Sequence, residues 1–224
     1  DFVLRDDALL DRFGIPRCLW PRIHQSWDNR QNQMITGRFD FAMTERGLKT
    51  YEYNCDSAAC YMECGKVQGK WATYHGVDFG RDAGADLHDR LTEAWRHAGV
   101  NGLVHVLHDD DLEEAYHALF MQEAMERAGL QSRVIAGFHS LRWGEDGAIL
   151  DAEGDPIRWV WKTWAWETAL DQIREECADD AEALERYRPG EPHSGPVRLV
   201  DILLRSEVMV FEPLWTLIPS NKAI

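Results

Sequence analysis

The chain has 224 residues, of which 45% are hydrophobic, and its 39 acidic and 24 basic side chains give a formal net charge of −15. This length allows one large domain or two small ones with a real core. No window of about 18 apolar residues occurs, so we expect no membrane span, and the charged residues 1–11 do not form a signal peptide. The excess of acidic residues argues against a nucleic-acid-binding function. It suits a cationic ligand, although solubility alone is the simpler explanation.

Residues 1–35 are predicted to be mostly helical, with interruptions at Pro16 and Pro21. Two aromatic-rich runs follow around the polar turn at 44–47, which predicts a β-hairpin over residues 37–54. We expect a helix over 57–74, a glycine-rich loop over 74–85 and an amphipathic helix over 86–97.

The next elements are a strand at 104–107, a helix at 112–128 and a strand at 132–136, an order that predicts a parallel α/β layer. A hairpin is predicted over 149–161, followed by a helix at 164–176, a loop at 178–196, a helix or strand at 197–204 and a strand at 208–211. The loops 74–85 and 178–196 are predicted to be mobile. The fold class is therefore α/β (α+β), with a mixed sheet and flanking helices.

The five cysteines are odd in number and form no regular framework, which favours a reducing, cytoplasmic setting. They are Cys18, Cys55, Cys60, Cys64 and Cys177. Zinc binding by Cys60 and Cys64 is conceivable, but no second Cys or His pair lies at partner spacing. We therefore prefer ordinary reduced thiols.

The predicted hairpin carries the sharpest chemical signal. If its turn is centred near Arg46, Asp40 lies opposite Glu52, Arg38 lies opposite Asn54, and all four polar groups share one face. A slip of one residue would separate them. Two carboxylates and an amide oxygen suit Mg²⁺, and an adjacent guanidinium would stabilise a phosphoryl group. The alternative is a solvated polar face with an ion pair.

Two further segments are candidates for ligand binding. The acidic run 109–111, followed by Glu113 and Glu114, comes after the carboxyl end of the predicted strand 104–107, where an acidic patch could bind ammonium groups. These acids could equally be helix N-terminal residues. The tryptophan-rich segment 161–168 could line a pocket, or belong to a core or interface. The sequence has no glycine-rich phosphate loop and no nucleophile elbow.

Three collinear blocks resemble glutathionylspermidine synthases. They are residues 37–58, residues 161–172 and residues 211–224, and together they make the resemblance specific over nearly the whole chain. The resemblance implies an ATP-grasp ligase in which ATP phosphorylates the glycine carboxylate of glutathione and a spermidine amine attacks the acyl phosphate. It also implies that this chain is the pre-ATP-grasp-like front portion, a partial synthetase domain over residues 1–224, with the ATP-grasp half expected beyond Ile224.

The same resemblance implies roles for individual residues. Asp40, Glu52 and Asn54 would bind two Mg²⁺ ions, Arg38 would be catalytic at the ATP phosphate, and Arg38, Asp40 and Lys222 would bind the nucleotide. The glutathione and polyamine end would be formed by Ser57, Glu113, Glu114, Thr163 and Thr168. The family further suggests a homodimer.

One departure from the family lies near the expected glutathione site, where Ala59 stands in place of a serine found in close relatives. The N-terminal amidase of many bacterial members would need a Cys–His pair, which nothing in this sequence indicates. Two other functions remain open: a related ligase that acts on another amine or peptide, and a fragment that binds substrate without catalysis.

Overall fold

The computed structural model of the protein describes residues 1–30, 33–176 and 194–222. It confirms a mixed α/β fold with eight helices and eight strands among the described residues. The helices are α1 (Asp7–Arg12), α2 (Trp20–Asp28), α3 (Gln68–Tyr74), α4 (Leu87–His97), α5 (Leu112–Arg127), α6 (Trp166–Glu176), α7 (Leu199–Leu203) and α8 (Leu217–Ser220). The strands are β1 (Arg38–Thr44), β2 (Gly47–Asn54), β3 (Val104–His108), β4 (Ser132–Ala136), β5 (Arg142–Trp143), β6 (Ile149–Leu150), β7 (Trp159–Lys162) and β8 (Met209–Val210).

A parallel sheet of four strands in the order β4-β3-β7-β8 forms the centre of the fold. Strand β3 is buried along its whole length, as its run of apolar residues predicts. Helix α5 crosses from β3 to β4, so the predicted strand–helix–strand unit is confirmed. Gly129, just after α5, takes a φ of +86°, a left-handed conformation that suits glycine and ends the helix.

Two hydrophobic clusters pack against this sheet. One contains buried residues of α4 and α5 with Val104 and Val106 of β3, and the other contains residues of α1, α2, α6 and α7 with Leu107 of the same strand. Since successive strand residues point to opposite faces, the two clusters cover opposite faces of the sheet. Within the ranges described, no helix is both long and apolar enough to span a membrane.

The hairpin of β1 and β2 is confirmed, with its turn between Thr44 and Gly47. A bulge after Asp40 shifts the register, so that Asp40 pairs with Glu52 while Phe41 pairs with Thr50. Tyr51 is therefore the extra residue of the bulge and has no direct partner in the other strand, whereas the expected register around Arg46 contained no bulge.

The predicted hairpin over 149–161 is confirmed next to its turn, where Leu150 and Pro156 form an isolated antiparallel bridge, but the strands beyond that bridge pair elsewhere. A turn does connect the two segments, since the N–H of Asp151 donates to the carbonyl of Asp155 at 3.0 Å. However, β6 pairs with β5 in a two-stranded antiparallel sheet, whereas β7 joins β3 in the parallel sheet. Strand β7 is almost fully buried. A strand inside a parallel sheet is covered on both faces, whereas a strand of a local hairpin would leave one face open to solvent.

Other boundaries differ by a few residues. The helix predicted over 57–74 begins at Tyr61 and contains a π-helical segment, Glu63–Val67, before α3. The loop after it is confirmed as irregular. Cys177 and most of the predicted loop 178–196 lie outside the described residues, and the mobility of both loops stays a prediction. The other four cysteines are free thiols, and the reducing setting stays a prediction.

Candidate functional site

A cluster of basic and acidic side chains lies at the open end of the hairpin. Arg38 donates from Nε to Asp40 Oδ1 at 2.8 Å and from Nη2 to Asp40 Oδ2 at 3.1 Å. Nη2 of Arg38 also donates to Glu52 Oε1 at 3.2 Å, and Nζ of Lys222 lies 3.0 Å from Glu52 Oε2. Asn54 is half-buried directly opposite Arg38 in the strand register. These five residues form the hairpin cluster. The sequence predicted the shared face of the four hairpin residues, whereas the contact of Lys222 with Glu52 was not predicted.

The electrostatics of the hairpin cluster favour its charged forms. The hydrogen bond from Arg38, assisted by its positive charge, holds the pKa of Asp40 below its ordinary value. The same hydrogen bond raises the pKa of Arg38 against the opposing effect of partial burial. Because 41% of the Asp40 side chain is exposed, the pair stays accessible to a ligand from solvent.

The chemistry of the hairpin cluster fits a magnesium ion. Asp40, Glu52 and Asn54 offer carboxylate and amide oxygens, the hard ligands that Mg²⁺ binds, and few protein ligands are needed when phosphate and water fill the other positions. The carboxylate oxygens face Arg38 and Lys222, which supply compensating positive charge. A metal ion could take over this compensation, and the two basic side chains would then be available to phosphate oxygens.

The segment after β2 is attached to the parallel sheet through Asp56. The Asp56 carboxylate accepts from the backbone N–H of Trp166 at 3.1 Å, and the Asp56 carbonyl accepts from Nζ of Lys162 at 2.7 Å. Ser57 is half-buried and donates to Asp56 Oδ1 at 3.4 Å. These contacts hold Ser57 beside the end of β7 and the start of α6.

The two predicted threonines lie in the adjoining segment. The N–H of Thr163 donates to the carbonyl of Leu107 in β3 at 3.0 Å, which places Thr163 at the carboxyl edge of the sheet. Its hydroxyl is buried and has no hydrogen-bond partner in the described part of the chain. Thr168 is exposed in the first turn of α6. Thr163 is therefore the better placed of the two to contact a ligand at this edge.

Glu113 and Glu114 lie in the first turn of α5, which follows β3 at the same sheet edge. The cap of this helix is Asp111, whose Oδ1 accepts from the N–H of Glu113 at 2.8 Å and of Glu114 at 3.4 Å. The proposed role of the acidic run as helix N-terminal residues thus holds for Asp111. The carboxylates of Glu113 and Glu114 are not used in the cap. With Ser57, Thr163 and Thr168 they form the sheet-edge group.

Sequence reasoning missed a buried acid and a buried base between these groups. Glu212 accepts from the backbone N–H groups of Ile35 and Thr36, both at 3.1 Å. Burial raises the pKa of Glu212 to about 8 and lowers the pKa of Lys162 to about 8, because burial removes water from each charged form. Both residues belong to the blocks that carried the family resemblance, but single charges within apolar runs gave no separate signal.

Comparisons with known proteins show the family to which the chain is similar. The family model described as glutathionylspermidine synthase preATP-grasp matches residues 1–224. The chain is 51% identical over its whole length to the bifunctional glutathionylspermidine synthetase/amidase of Escherichia coli strain K12. It is 40% identical over 99% of its length to trypanothione synthetase of Crithidia fasciculata, and 30% identical over 95% to the glutathionylspermidine synthase of that organism. The chain spans 36%, 34% and 31% of these relatives, respectively.

Proposed function

The chain belongs to the glutathionylspermidine synthase preATP-grasp family, and from this we propose that it is part of an ATP- and Mg²⁺-dependent ligase. The proposed reaction joins the glycine carboxylate of glutathione to an amine of spermidine. The observation that carries the proposal is the hairpin cluster, in which Arg38 bridges the carboxylates of Asp40 and Glu52, Lys222 contacts Glu52, and the Asn54 amide lies opposite Arg38. Those residue types suit a phosphoryl-transfer site.

A carboxylate is a poor acyl donor, so its conversion to an amide needs activation. In the proposed reaction a glutathione carboxylate oxygen attacks the γ-phosphorus of ATP, which releases ADP and leaves an acyl phosphate. The uncharged spermidine amine then attacks the acyl carbon, inorganic phosphate departs, and the amine loses a proton. Arg38 would contact the transferring phosphoryl group, and Lys222 would contact the nucleotide phosphates.

Asp40, Glu52 and Asn54 would hold the magnesium, which when bound neutralises phosphate charge. Because Arg38 hydrogen-bonds to both carboxylates, its guanidinium is already positioned within the cluster before a nucleotide arrives. The residues of the hairpin cluster would therefore have two roles: they would bind the metal and they would direct a positive charge at the phosphoryl group. Both lower the repulsion between two anionic substrates.

The sheet-edge group would bind the other two substrates. Ser57 and the buried hydroxyl of Thr163 would donate to glutathione, and Glu113 or Glu114 would accept from an ammonium group. Ser57 lies three residues after Asn54, so the same short segment links the proposed metal site to the proposed glutathione site. Thr168 would contribute from the first turn of α6.

The test is the change Asp40→Ala in the full-length protein, assayed by phosphate release with ATP, glutathione and spermidine. We expect turnover to be abolished, because the change removes a magnesium ligand and the main partner of Arg38. The fold should survive, since Asp40 is well exposed and surface ion pairs contribute little to stability.

The matched control is Glu45→Gln, which changes an exposed acid in the turn of the same hairpin. It should leave turnover and its dependence on Mg²⁺ unchanged. Normal Mg²⁺-dependent turnover in Asp40→Ala would remove the hairpin cluster from the reaction. Full activity without spermidine, or with unrelated amines, would contradict the proposed substrate instead.

A further inference from the structure

A second group of potential ligands lies outside the hairpin cluster, between two helices. Glu63 begins the π-helical segment, and Glu113 and His117 lie on α5. One ligand atom from each of these three side chains lies within 4.8 Å of the other two. Glu113 and His117 are four residues apart, which puts them on the same face of the helix.

His117 supplies an independent reason to expect a ligand here. The residue is only 3% exposed, yet neither of its ring nitrogens has a hydrogen-bond partner in the described part of the chain. A neutral imidazole carries one donor and one acceptor, and buried polar groups are normally satisfied. The neighbouring Tyr61 packs edge-on against this ring, with centroids 5.8 Å apart, and so helps to fix its orientation.

We propose that Glu63, Glu113 and His117 form a binding site for a divalent transition-metal ion such as Zn²⁺. Two carboxylates balance the charge of the ion, and an imidazole nitrogen favours a transition metal over Mg²⁺ or Ca²⁺, which prefer oxygen ligands. Glu63 and Glu113 are exposed, so the ion can enter from solvent and can keep a water molecule as a further ligand. This site is separate from the hairpin cluster and does not depend on the proposed ligase reaction.

Such an ion would connect two parts of the fold. Glu63 precedes α3, whereas Glu113 and His117 belong to the crossover helix between β3 and β4. The ion would therefore fix the π-helical segment against the N-terminal turns of α5, close to the sheet-edge group. Glu113 takes part in both groups, so a bound ion would compete with a substrate ammonium for that carboxylate.

The experiment measures metal affinity with the purified full-length protein after removal of metals by a chelator. Zn²⁺ is titrated in competition with a chromophoric chelator, in excess Mg²⁺ to occupy all-oxygen sites, and Co²⁺ absorption reports the ligand set. We expect one ion per chain. Mutating a residue that only hydrogen-bonds to a metal ligand typically lowers metal affinity by about 10- to 100-fold. Loss of a ligand itself should cost at least as much, so Glu63→Gln and His117→Gln should each weaken Zn²⁺ binding at least about 10-fold.

Two controls separate this site from its neighbours. Glu114→Gln changes the adjacent acid outside the cluster and should leave Zn²⁺ affinity unchanged. Cys64→Ser removes a half-buried thiol of the π-helical segment and should also have no effect. Because Glu63 is exposed, Glu63→Gln should fold normally even if His117→Gln does not.

Three results would overturn the site. The first is Zn²⁺ affinity that is unchanged in Glu63→Gln. The second is a loss of affinity in Cys64→Ser alone, which would place the ion on thiols. The third is binding of spermidine to metal-free protein that Glu63→Gln and His117→Gln abolish while Zn²⁺ fails to bind, which would assign the cluster to an ammonium group. None of these measurements uses ligase activity, so failure of the metal site and failure of the proposed function are distinguishable.

Discussion

Glu212 connects three segments through its backbone and its side chain. Its N–H donates to the carbonyl of Gln33 at 3.0 Å, and its carbonyl accepts from Nε1 of Trp166 at 2.8 Å. Its carboxylate accepts from two further N–H groups in the segment that leads into β1. Glu212 also has a φ of +57°, a left-handed conformation that costs free energy for a residue with a side chain. The four hydrogen bonds offset that cost.

The raised pKa of Glu212 predicts a specific dependence of stability on pH. The ordinary pKa of 4.5 rises to about 8 in the folded protein, mainly because of burial. Between these values the folded state holds a proton that the unfolded state has lost. The stabilising contribution of Glu212 is therefore fully present below about pH 4.5 and is lost as pH rises towards 8.

The test compares wild type with Glu212→Gln by urea unfolding at pH 5, 6.5 and 8. Glutamine is neutral throughout and keeps an acceptor oxygen. The free energy of unfolding of wild type should therefore fall by a few kcal/mol relative to the variant between pH 5 and 8. The control is Glu145→Gln, which changes an exposed acid. Its free energy of unfolding should change with pH in the same way as that of wild type. A difference in the free energy of unfolding between wild type and Glu212→Gln that does not change with pH would contradict the prediction.

The turn between β6 and β7 is held by the buried side chain of Asp151. Its Oδ1 accepts from the N–H groups of Glu153 and Asp155, at 3.0 and 2.9 Å. Its Oδ2 faces Nε2 of His105 at 3.0 Å and also accepts from Arg133. Burial alone would raise the pKa of Asp151, but the hydrogen bonds from His105, Asp155 and Arg133 outweigh it and lower the pKa to about 2.

We expect Asp151→Asn to destabilise the fold by about 2 kcal/mol at neutral pH, since the pKa of a carboxyl falls from 3.8 to about 2 on folding. That contribution is present above pH 3.8 and is lost as pH falls towards 2. Acid unfolding followed by circular dichroism should therefore show a smaller loss of stability over this range in the variant.

Asp155→Asn is the matched control for that experiment. The Asp155 carboxylate forms a surface ion pair with Arg133, at 2.9 Å with 52% of the side chain exposed, and such pairs contribute about 0–1 kcal/mol. The change keeps the Asp155 backbone N–H that donates to Asp151. If Asp151→Asn and Asp155→Asn lowered the free energy of unfolding equally, the loss of a surface charge rather than of the buried turn contacts would explain the effect.

The sequence predicted best those elements whose residue pattern lies within one continuous segment. The hairpin follows from an alternating pattern and a polar turn, and α5 follows from helical spacing that ends at a glycine, whereas the pairing of Asp40 with Glu52 also needs the bulge. The pairing of β7 could not be predicted in this way, because its partner β3 lies far away in the sequence. The bulge at Tyr51 and the π-helical segment depend on tertiary packing, which residue types alone do not encode.

The same distinction applies to the candidate site. The hairpin cluster was predictable because one local hairpin supplies four of its five residues. His117 and Glu63 gave no signal, because the structure brings them together from separate helices. The burial of Lys162 and Glu212 likewise depends on packing between distant segments.

At the scale of the molecule, the first and last described segments pack together. Trp27 of α2 lies edge-on to Trp215, with ring centroids 5.1 Å apart, and the Asn221 side chain donates to the carbonyl of Phe13 at 2.9 Å. The Ser220 hydroxyl oxygen accepts from the N–H of Cys55 at 3.0 Å, next to the hairpin cluster. The position of Lys222 beside Glu52 therefore depends on the assembly of the whole chain.

In the proposed reaction, this arrangement would supply one side of a phosphoryl-transfer site and leave that side open to solvent. The hairpin cluster is partly exposed, with 41% of Asp40 and 58% of Lys222 accessible. An acyl phosphate must be protected from water, and the chain covers about a third of the length of its relatives, at 36%, 34% and 31%. The missing protection is expected from the rest of the full-length protein.

We therefore predict that the 224-residue chain on its own releases no phosphate from ATP, whereas the full-length protein does so when glutathione and spermidine are both present. Circular dichroism and a cooperative thermal transition must first show that the isolated chain is folded, so that inactivity reflects an open site. Full-length Asp40→Ala provides the background rate. Phosphate release by the folded chain above that background, dependent on both substrates, would mean that residues 1–224 enclose the reaction themselves.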